Sequence, residues 1–354
     1  MESVEQLFLR LPGKIHDALD RIQKGGVGIC LVIDDLDRLI CTVTDGDIRR
    51  AILAGAHMED PVELLLSGRP ESYAQPTVAP ACTPVEELLR LLQEKRLRHI
   101  PLLDPAGRVV DLALLSELVM DRPPKLSAVV MAGGFGQRLR PLTEDVPKPM
   151  LLVGDRPLLE LIIERLSESG IHKVNITTHY KPEKITEHFG DGSTFGVQMS
   201  YVNEEQPLGT AGALGLMEES DEPLLVINGD ILTQIDFRAL MAYHHEHQAD
   251  LTVAVRKYDL KVPYGVIECE GALVSNLREK PVMSFFVNAG VYLLQPGVRR
   301  FITNGERLDM TDLIQRLLDA GRPVASFPVL EYWLDIGQLT DYEQAQEDAK
   351  KGMI

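Results

Sequence analysis

Leu126-Ser127-Ala128-Val129-Val130-Met131-Ala132-Gly133-Gly134-Phe135-Gly136-Gln137-Arg138-Leu139-Arg140-Pro141-Leu142-Thr143, followed by Pro147-Lys148-Pro149-Met150, is the stretch on which the fold turns. The run 126–131 has the length and apolar content of a buried strand. A strand that opens directly into clustered glycines places backbone N–H groups at its C-terminal edge, where α/β sheets bind ligands. The missing Cβ atoms let a phosphate approach the main chain. Spacing removes two alternatives: there is no third glycine for G-x-G-x-x-G and no G-x-x-x-x-G-K-[ST]. What remains is a glycine loop with a separate Arg138 and a Lys148 set between two prolines, which are expected to hold Lys148 and its predecessor extended.

Upstream, Asp121-Arg122-Pro123-Pro124-Lys125 is charged and proline-paired, so it cannot continue a helix and marks a domain boundary. Residues 1–122 and 126–354 are therefore read as two domains. The first holds a degenerate repeat. One copy runs Val27 to Asp34, Arg38 to Thr44, then Asp47 to Arg50; the other runs Arg98 to Asp104, Gly107 to Leu112, then Ser116 to Leu118. Each reads as strand, acidic turn, strand, helix, preceded by an amphipathic helix such as Val85 to Leu92.

That repeat resembles a tandem pair of CBS domains, β-α-β-β-α modules that bind adenine nucleotides. The resemblance implies a regulatory adenine nucleotide, with Thr44 and Asp47 contacting its ribose. The residues alone leave a second reading equally open, in which Thr44 caps the helix beginning near Asp45 and Asp47 sits in its first turn. The second copy has Leu114 and Glu117 at the matching positions, a poor ribose site.

The combination A-G-G-x-G-x-R-x-x-P-x-T…P-K-P is similar to the signature of the sugar-1-phosphate nucleotidylyltransferases, and the rest of 126–354 carries further matches. Leu224-Leu225-Val226-Ile227-Asn228-Gly229-Asp230 is an apolar strand ending in a G-D motif, and Trp333-Leu334-Asp335-Ile336-Gly337 matches W-x-D-x-G. Glu279-Lys280-Pro281, Val287-Asn288-Ala289-Gly290-Val291-Tyr292 and Gln206-Pro207-Leu208-Gly209-Thr210-Ala211-Gly212-Ala213 match the E-K-P, N-x-G-x-Y and L-G-T-A-G motifs. The resemblance implies an α/β, Rossmann-like domain with a mixed, mainly parallel sheet. It implies Mg²⁺ held by Asp230 and Asp335, and nucleotide contacts from Ala132, Gly133, Gly134, Gly136, Gln206, Gly209 and Thr210. Arg138, Lys148 and Lys280 are the implied catalytic cations, with Glu279, Asn288 and Gly290 along the sugar.

The implied reaction joins an NTP and a sugar 1-phosphate into an NDP-sugar and pyrophosphate. The L-G-T-A-G-A form and the CBS fusion look most like guanylyltransferases, including the glucosamine-1-phosphate enzymes of legionaminic acid synthesis. Mannose or heptose 1-phosphate with GTP, and glucose 1-phosphate with UTP or CTP, are the alternatives. A different class, a catalytically idle nucleotide sensor, would be favoured by loss of a metal carboxylate or phosphate-binding cation, and none is missing. CBS pairs often associate, so a homo-oligomer is expected.

Composition sets the outer bounds. The 354 residues carry 36 Lys and Arg against 53 Asp and Glu, a formal charge of −17, with 45% hydrophobic residues. This is a globular composition. Residues 1–125 and 126–354 are both acidic, so no hidden basic arm exists, and binding to nucleic acid or anionic lipid is not expected. Cys30, Cys41, Cys82 and Cys269 lack C-x-x-C spacing and read as reduced structural thiols. The start Met1-Glu2-Ser3-Val4-Glu5 is unlike a signal peptide, and no apolar run reaches the ~20 residues of a membrane span, so a cytoplasmic location is expected. His244-His245-Glu246-His247 reads as a solvated helix face and Asp341 to Asp348 as an exposed acidic helix.

Overall fold

Ile29-Cys30-Leu31-Val32-Ile33 is an unbroken apolar run, and it folds as a strand buried along its whole length. The computed structural model describes residues 4–67, 75–95, 97–118 and 126–354, and the chain divides into two units, 1–122 and 123–354. The boundary stretch Asp121 to Lys125 lies outside the described residues.

The first unit contains β1 (Phe8–Arg10), α1 (Ile15–Gly25), β2 (Ile29–Ile33), β3 (Leu39–Thr44), α2 (Asp45–Leu53), α3 (Leu64–Ser67), β4 (Ala79–Pro80), α4 (Val85–Glu94), β5 (His99–Leu103), β6 (Val109–Leu114) and α5 (Leu115–Leu118). Corresponding elements open at 15 and 85, 29 and 99, 39 and 109, 45 and 115, so the repeat keeps a constant offset. Two three-stranded sheets result, β1-β2-β3 and β4-β5-β6. The turns are copies of each other. Asp34 Oδ1 accepts from the amides of Leu36 and Arg38, and Asp104 Oδ1 from those of Ala106 and Arg108, all at 2.9 Å. The two turns also meet, because the Leu39 amide donates to Gly107 O (3.2 Å) and the Val109 amide to Asp37 O (3.1 Å). One core cluster draws Ile29, Leu31 and Ile33 from the first copy and Val109, Leu112 and Leu114 from the second.

The second unit begins with β7 (Ser127–Met131) and continues through β8 (Leu152–Val153), β9 (Arg156–Pro157), α6 (Leu158–Glu168), β10 (Lys173–Thr178), α7 (Pro182–Phe189), β11 (Gln198–Asn203) and α8 (Gly209–Gly212). It then runs through β12 (Leu224–Asn228), β13 (Ile231–Thr233), α9 (Phe237–Glu246), β14 (Leu251–Lys261), β15 (Val266–Glu270), β16 (Leu273–Arg278), β17 (Val282–Leu294), α10 (Met310–Asp319), β18 (Val324–Pro328), β19 (Trp333–Asp335) and α11 (Leu339–Lys350). The central sheet has order β11-β10-β7-β12-β17-β14-β18. Only β17 runs against its neighbours, so the sheet is mixed and mainly parallel. Side-chain alternation along the strands feeds two cores. Ala128 and Val130 pack with residues of α6, α7 and α9, whereas Val129 packs with Met310, Leu313 and Leu317 of α10.

Beyond the sheet, β14 and β17 continue as a two-stranded arm, pairing Val255 with Asn288 through Lys261 with Val282. Between β14 and β17 the chain forms the separate hairpin β15–β16, whose apolar side chains stand in solvent, with Leu273 77% and Val274 64% exposed. Among the described residues no helix is long and apolar enough to cross a membrane.

Three expectations need correction. Lys148 is not extended: it opens a 3₁₀ turn closed by the Met150 amide on Pro147 O (2.8 Å) and the Leu151 amide on Lys148 O (3.1 Å). His244 is not on a solvated face but fully buried in α9, between Thr252 and Gln295. The C-terminal helix is real, yet its Ala345 and Asp348 are buried, and Asp348 accepts from Tyr332 Oη at 2.9 Å. Of the four thiols, Cys30 and Cys41 are buried while Cys82 and Cys269 are exposed.

Candidate active site

β7 and β12 are parallel neighbours, so the glycine loop after Met131 and the Gly229-Asp230 pair after Asn228 leave the sheet at the same edge. The β7 end is fixed where the Ala132 amide donates to Thr177 O (3.1 Å), and the Gly229 amide bonds Met131 O (2.9 Å). Within the loop, Gly136 has φ +61°, a left-handed value, and a Cβ there would lie 2.9 Å from Thr143 Cγ2 and 3.1 Å from Lys148 Cβ. The turn is closed by Thr143 Oγ1 donating to Gly136 O (2.7 Å). Gly136 therefore seats Lys148 directly against the loop.

Lys148 is only 8% exposed, and its ammonium lies 2.5 Å from Asp230 Oδ2. Asp335 arrives from far along the chain because β19 pairs with β13, register Ile231 to Asp335, and the Ile336 amide bonds Asp230 O (3.0 Å). The Asp335 carboxyl is held above the ordinary carboxylate range, first by loss of water around it and then by the Asp230 charge; Lys148 and Arg138 pull the other way. These couplings place all four charged groups in one electrostatic neighbourhood. Arg138 Nη1 also lies close to Gly337, whose amide, with that of Gln338, donates to Asp341.

Asp230 and Asp335 fit a hard divalent cation, as two carboxylates leave positions for phosphate oxygens and water. Among the described residues no group of three or more His, Cys, Asp or Glu is arranged for a metal. Asn228 Oδ1, two residues before Asp230, is buried without a hydrogen-bond partner, an acceptor open to a bound donor.

The remaining expected residues divide. Gly133 and Gly134 lie in the loop, with Gly134 exposed. Gln206 is exposed at the start of the L-G-T-A-G loop. Gly209 has φ +78°, and a Cβ there would meet Asp309 Oδ1 at 2.6 Å and Leu308 O at 2.7 Å. Thr210 is tied to the start of α10, its amide bonding Asp309 Oδ1 (3.2 Å) and its hydroxyl accepting from the Met310 amide (2.8 Å). Asn288 Oδ1 accepts from the Gly290 amide (3.0 Å), and Gly290 stands against the Asn228 side chain. Glu279 and Lys280 are exposed on the arm and make no hydrogen bond to the carboxylate pair. In the first unit, the Thr44 amide donates to Asp47 Oδ2 (2.9 Å) and the Asp47 amide to Thr44 Oγ1 (3.3 Å), so the helix cap is formed, with Arg50 also on Asp47 (2.8 Å).

Two positions that anchor the L-G-T-A-G loop had no motif to announce them. Glu204, 6% exposed, accepts from the Leu208 amide (2.9 Å), and burial raises its carboxyl above the usual range. Asp309 holds Thr210 across 99 positions. The one available signal was an acidic residue immediately before a glycine-rich loop.

Residues 127–352 match the Nucleotidyl transferase family and residues 13–54 the CBS domain family. A probable mannose-1-phosphate guanylyltransferase of Oryza sativa subsp. japonica is 34% identical over 227 residues, covering 61% of this chain and 63% of that protein. A UTP–glucose-1-phosphate uridylyltransferase of Synechocystis sp. is 31% identical over 241 residues, covering 62% of each. The chain thus spans less than two thirds of the length of these curated relatives. A solved structure titled as a putative glucose-1-phosphate thymidylyltransferase from Bacillus anthracis, in complex with a sucrose, superposes with TM-score 0.52 at 25% identity, covering 64% of this chain and 95% of that one. The glycine loop, the paired carboxylates and the family match over 127–352 together show that the chain belongs to the nucleotidyl transferase family.

Proposed function

We propose that residues 126–354 transfer a nucleotidyl group from an NTP to a sugar 1-phosphate. The observation that carries this reading is the convergence of Lys148, Asp230, Asp335 and Arg138 at the lip of the glycine loop. An oxygen of the sugar phosphate attacks the α-phosphorus, the bond from that phosphorus to the bridging oxygen breaks, and pyrophosphate leaves. The nucleophile is already an anion, so no general base is needed. The barrier is repulsion between phosphates, which positioning and fixed cations relieve. Loop amides bind phosphate oxygens, Arg138 grips the β- and γ-phosphates with its planar fork, Lys148 neutralises charge at the α-phosphate, and Lys280 receives the sugar phosphate. Asp230 and Asp335 would hold Mg²⁺, which supplies Lewis-acid charge relief when bound. Glu279, Asn288 and Gly290 face the sugar in this reading.

GTP is the proposed donor and glucosamine 1-phosphate the proposed acceptor. Mannose 1-phosphate is the second reading, supported by the relatives named as mannose-1-phosphate guanylyltransferases. Residues 1–122 act as a regulatory CBS pair for an adenine nucleotide at Thr44 and Asp47, and the enzyme works in the cytoplasm. Pyrophosphate release over four NTPs and a panel of hexose, hexosamine and heptose 1-phosphates tests the assignment; release with no pair would overturn it. In the best pair, Lys148→Ala should lower turnover about two to three orders of magnitude, and unchanged turnover would remove Lys148 from the mechanism.

A further inference from the structure

We infer that Lys148 is the internal counter-ion of the metal carboxylates, so that the protein alone holds a divalent cation weakly and the nucleotide's phosphates, by drawing Lys148 off Asp230, open the site to the metal. The inference rests on the nucleotidyl-transfer reading and deepens it.

Asp230 and Asp335 are brought together by the β13–β19 pairing, in which Asp335 stands opposite Ile231 and the Ile336 amide donates to Asp230 O at 3.0 Å. Such a pair needs a positive partner. The described structure gives Asp230 one: the ammonium of Lys148, at 2.5 Å. The ion pair is sheltered, with the lysine side chain 9% and the aspartate side chain 28% exposed, so solvent screens it poorly. Its position is not an accident of a long, mobile side chain. Lys148 is fixed in the 3₁₀ turn 148–150 and packed at its Cβ against Gly136.

An ammonium and a divalent cation cannot both take Asp230 Oδ2 at bonding distance. Lys148 must therefore leave Oδ2 when that oxygen becomes a metal ligand, and an α-phosphate beside the glycine loop gives it a new anion. The two events are linked. Whatever phosphate contributes to metal affinity by direct coordination, a further part arises from release of Lys148, and by reciprocity the metal favours the lysine–phosphate contact by the same factor.

The test uses the full chain and Mn²⁺ as the probe, with free Mn²⁺ followed by electron paramagnetic resonance. Without nucleotide, Lys148→Met and Lys148→Gln should bind Mn²⁺ at least about fivefold more tightly than wild type, the lower end of usual site-to-site coupling. GTP should tighten Mn²⁺ binding by a smaller factor in the variants than in wild type. Equal Mn²⁺ affinity of wild type and variants in the absence of GTP would overturn the inference while leaving the catalytic reading in place. No Mn²⁺ binding by any of them, with or without GTP, would overturn both. A measurement on wild type covers the case of misfolded variants: Lys148 should be acylated slowly by an N-hydroxysuccinimide ester in metal-free protein and faster with saturating Mg²⁺. A rate that Mg²⁺ leaves unchanged would count against the ion-pair switch.

Discussion

At Gly209 the backbone is left-handed and two oxygen atoms crowd the place a side chain would take. Gly209→Ala should therefore destabilise the second unit by about 1–3 kcal/mol for the conformation alone, with the clash against Leu308 O adding to it; a melting curve of the full chain would read the loss as a lower first or second transition. His244 supports a pH prediction. Gln295 Nε2 donates to its Nε2 (2.8 Å) and Thr252 Oγ1 lies 2.8 Å from its Nδ1, so the ring is bonded as a neutral tautomer. Burial first, and His245 second, push its pKa down from 6.5 to about 4. Because the folded value is depressed, the stabilisation from a neutral ring is complete above pH 6.5 and is lost as pH falls from 6.5 toward 4. Proton resonances of His244 should show no charging at pH 6, and a ring that titrates there would contradict the buried arrangement. Neither Gly209's neighbours nor His244's burial could be read from the chain, since the first depends on residues about a hundred positions away and the second on a helix rotation that a run of polar letters disguises.

The strands and their ends were the readable elements. Val129 and Val130 sit in an apolar run whose length and glycine stop identify β7, and Asp230 follows an equally clear strand. The Lys148 turn was misread because two prolines suggested an extended chain, whereas Pro149 is also suited to the first turn of a 3₁₀ segment. Of the arm, only the stretch from Val287 onward was legible as a strand. Its residues carry strand-forming side chains, yet only two strands pair along it, and a ribbon of that kind is marginally stable without a third strand or a packed helix. Peptides spanning 264–281 should exchange amide hydrogen faster than the rest of the central sheet, and should be protected when GTP and a sugar 1-phosphate are both present. Protection that fails to appear would detach Glu279 and Lys280 from the sugar site.

For the whole molecule, the chain forms two compact units, 1–122 and 123–354, and the stretch between them lies outside the described residues. The net charge of −17 says little about small anionic substrates, because in the proposed mechanism the cations that matter are a few side chains around one loop. What composition could not supply was pairing at a distance: β13 with β19 joins Asp230 to a carboxylate more than a hundred positions later. In the first unit the repeat was legible as a pattern, and its constant offset became visible only with the elements in place.

The paired turns at Asp34 and Asp104 have one more consequence. Each copy closes the other's hairpin with a backbone bond, Leu39 to Gly107 and Val109 to Asp37, and residues of β2 and β6 meet in one core cluster. A duplicated module is often pictured as two beads on a string, free to open one at a time. Here opening either hairpin breaks a hydrogen bond that clasps the other, so the two turns are expected to exchange their amide hydrogens together.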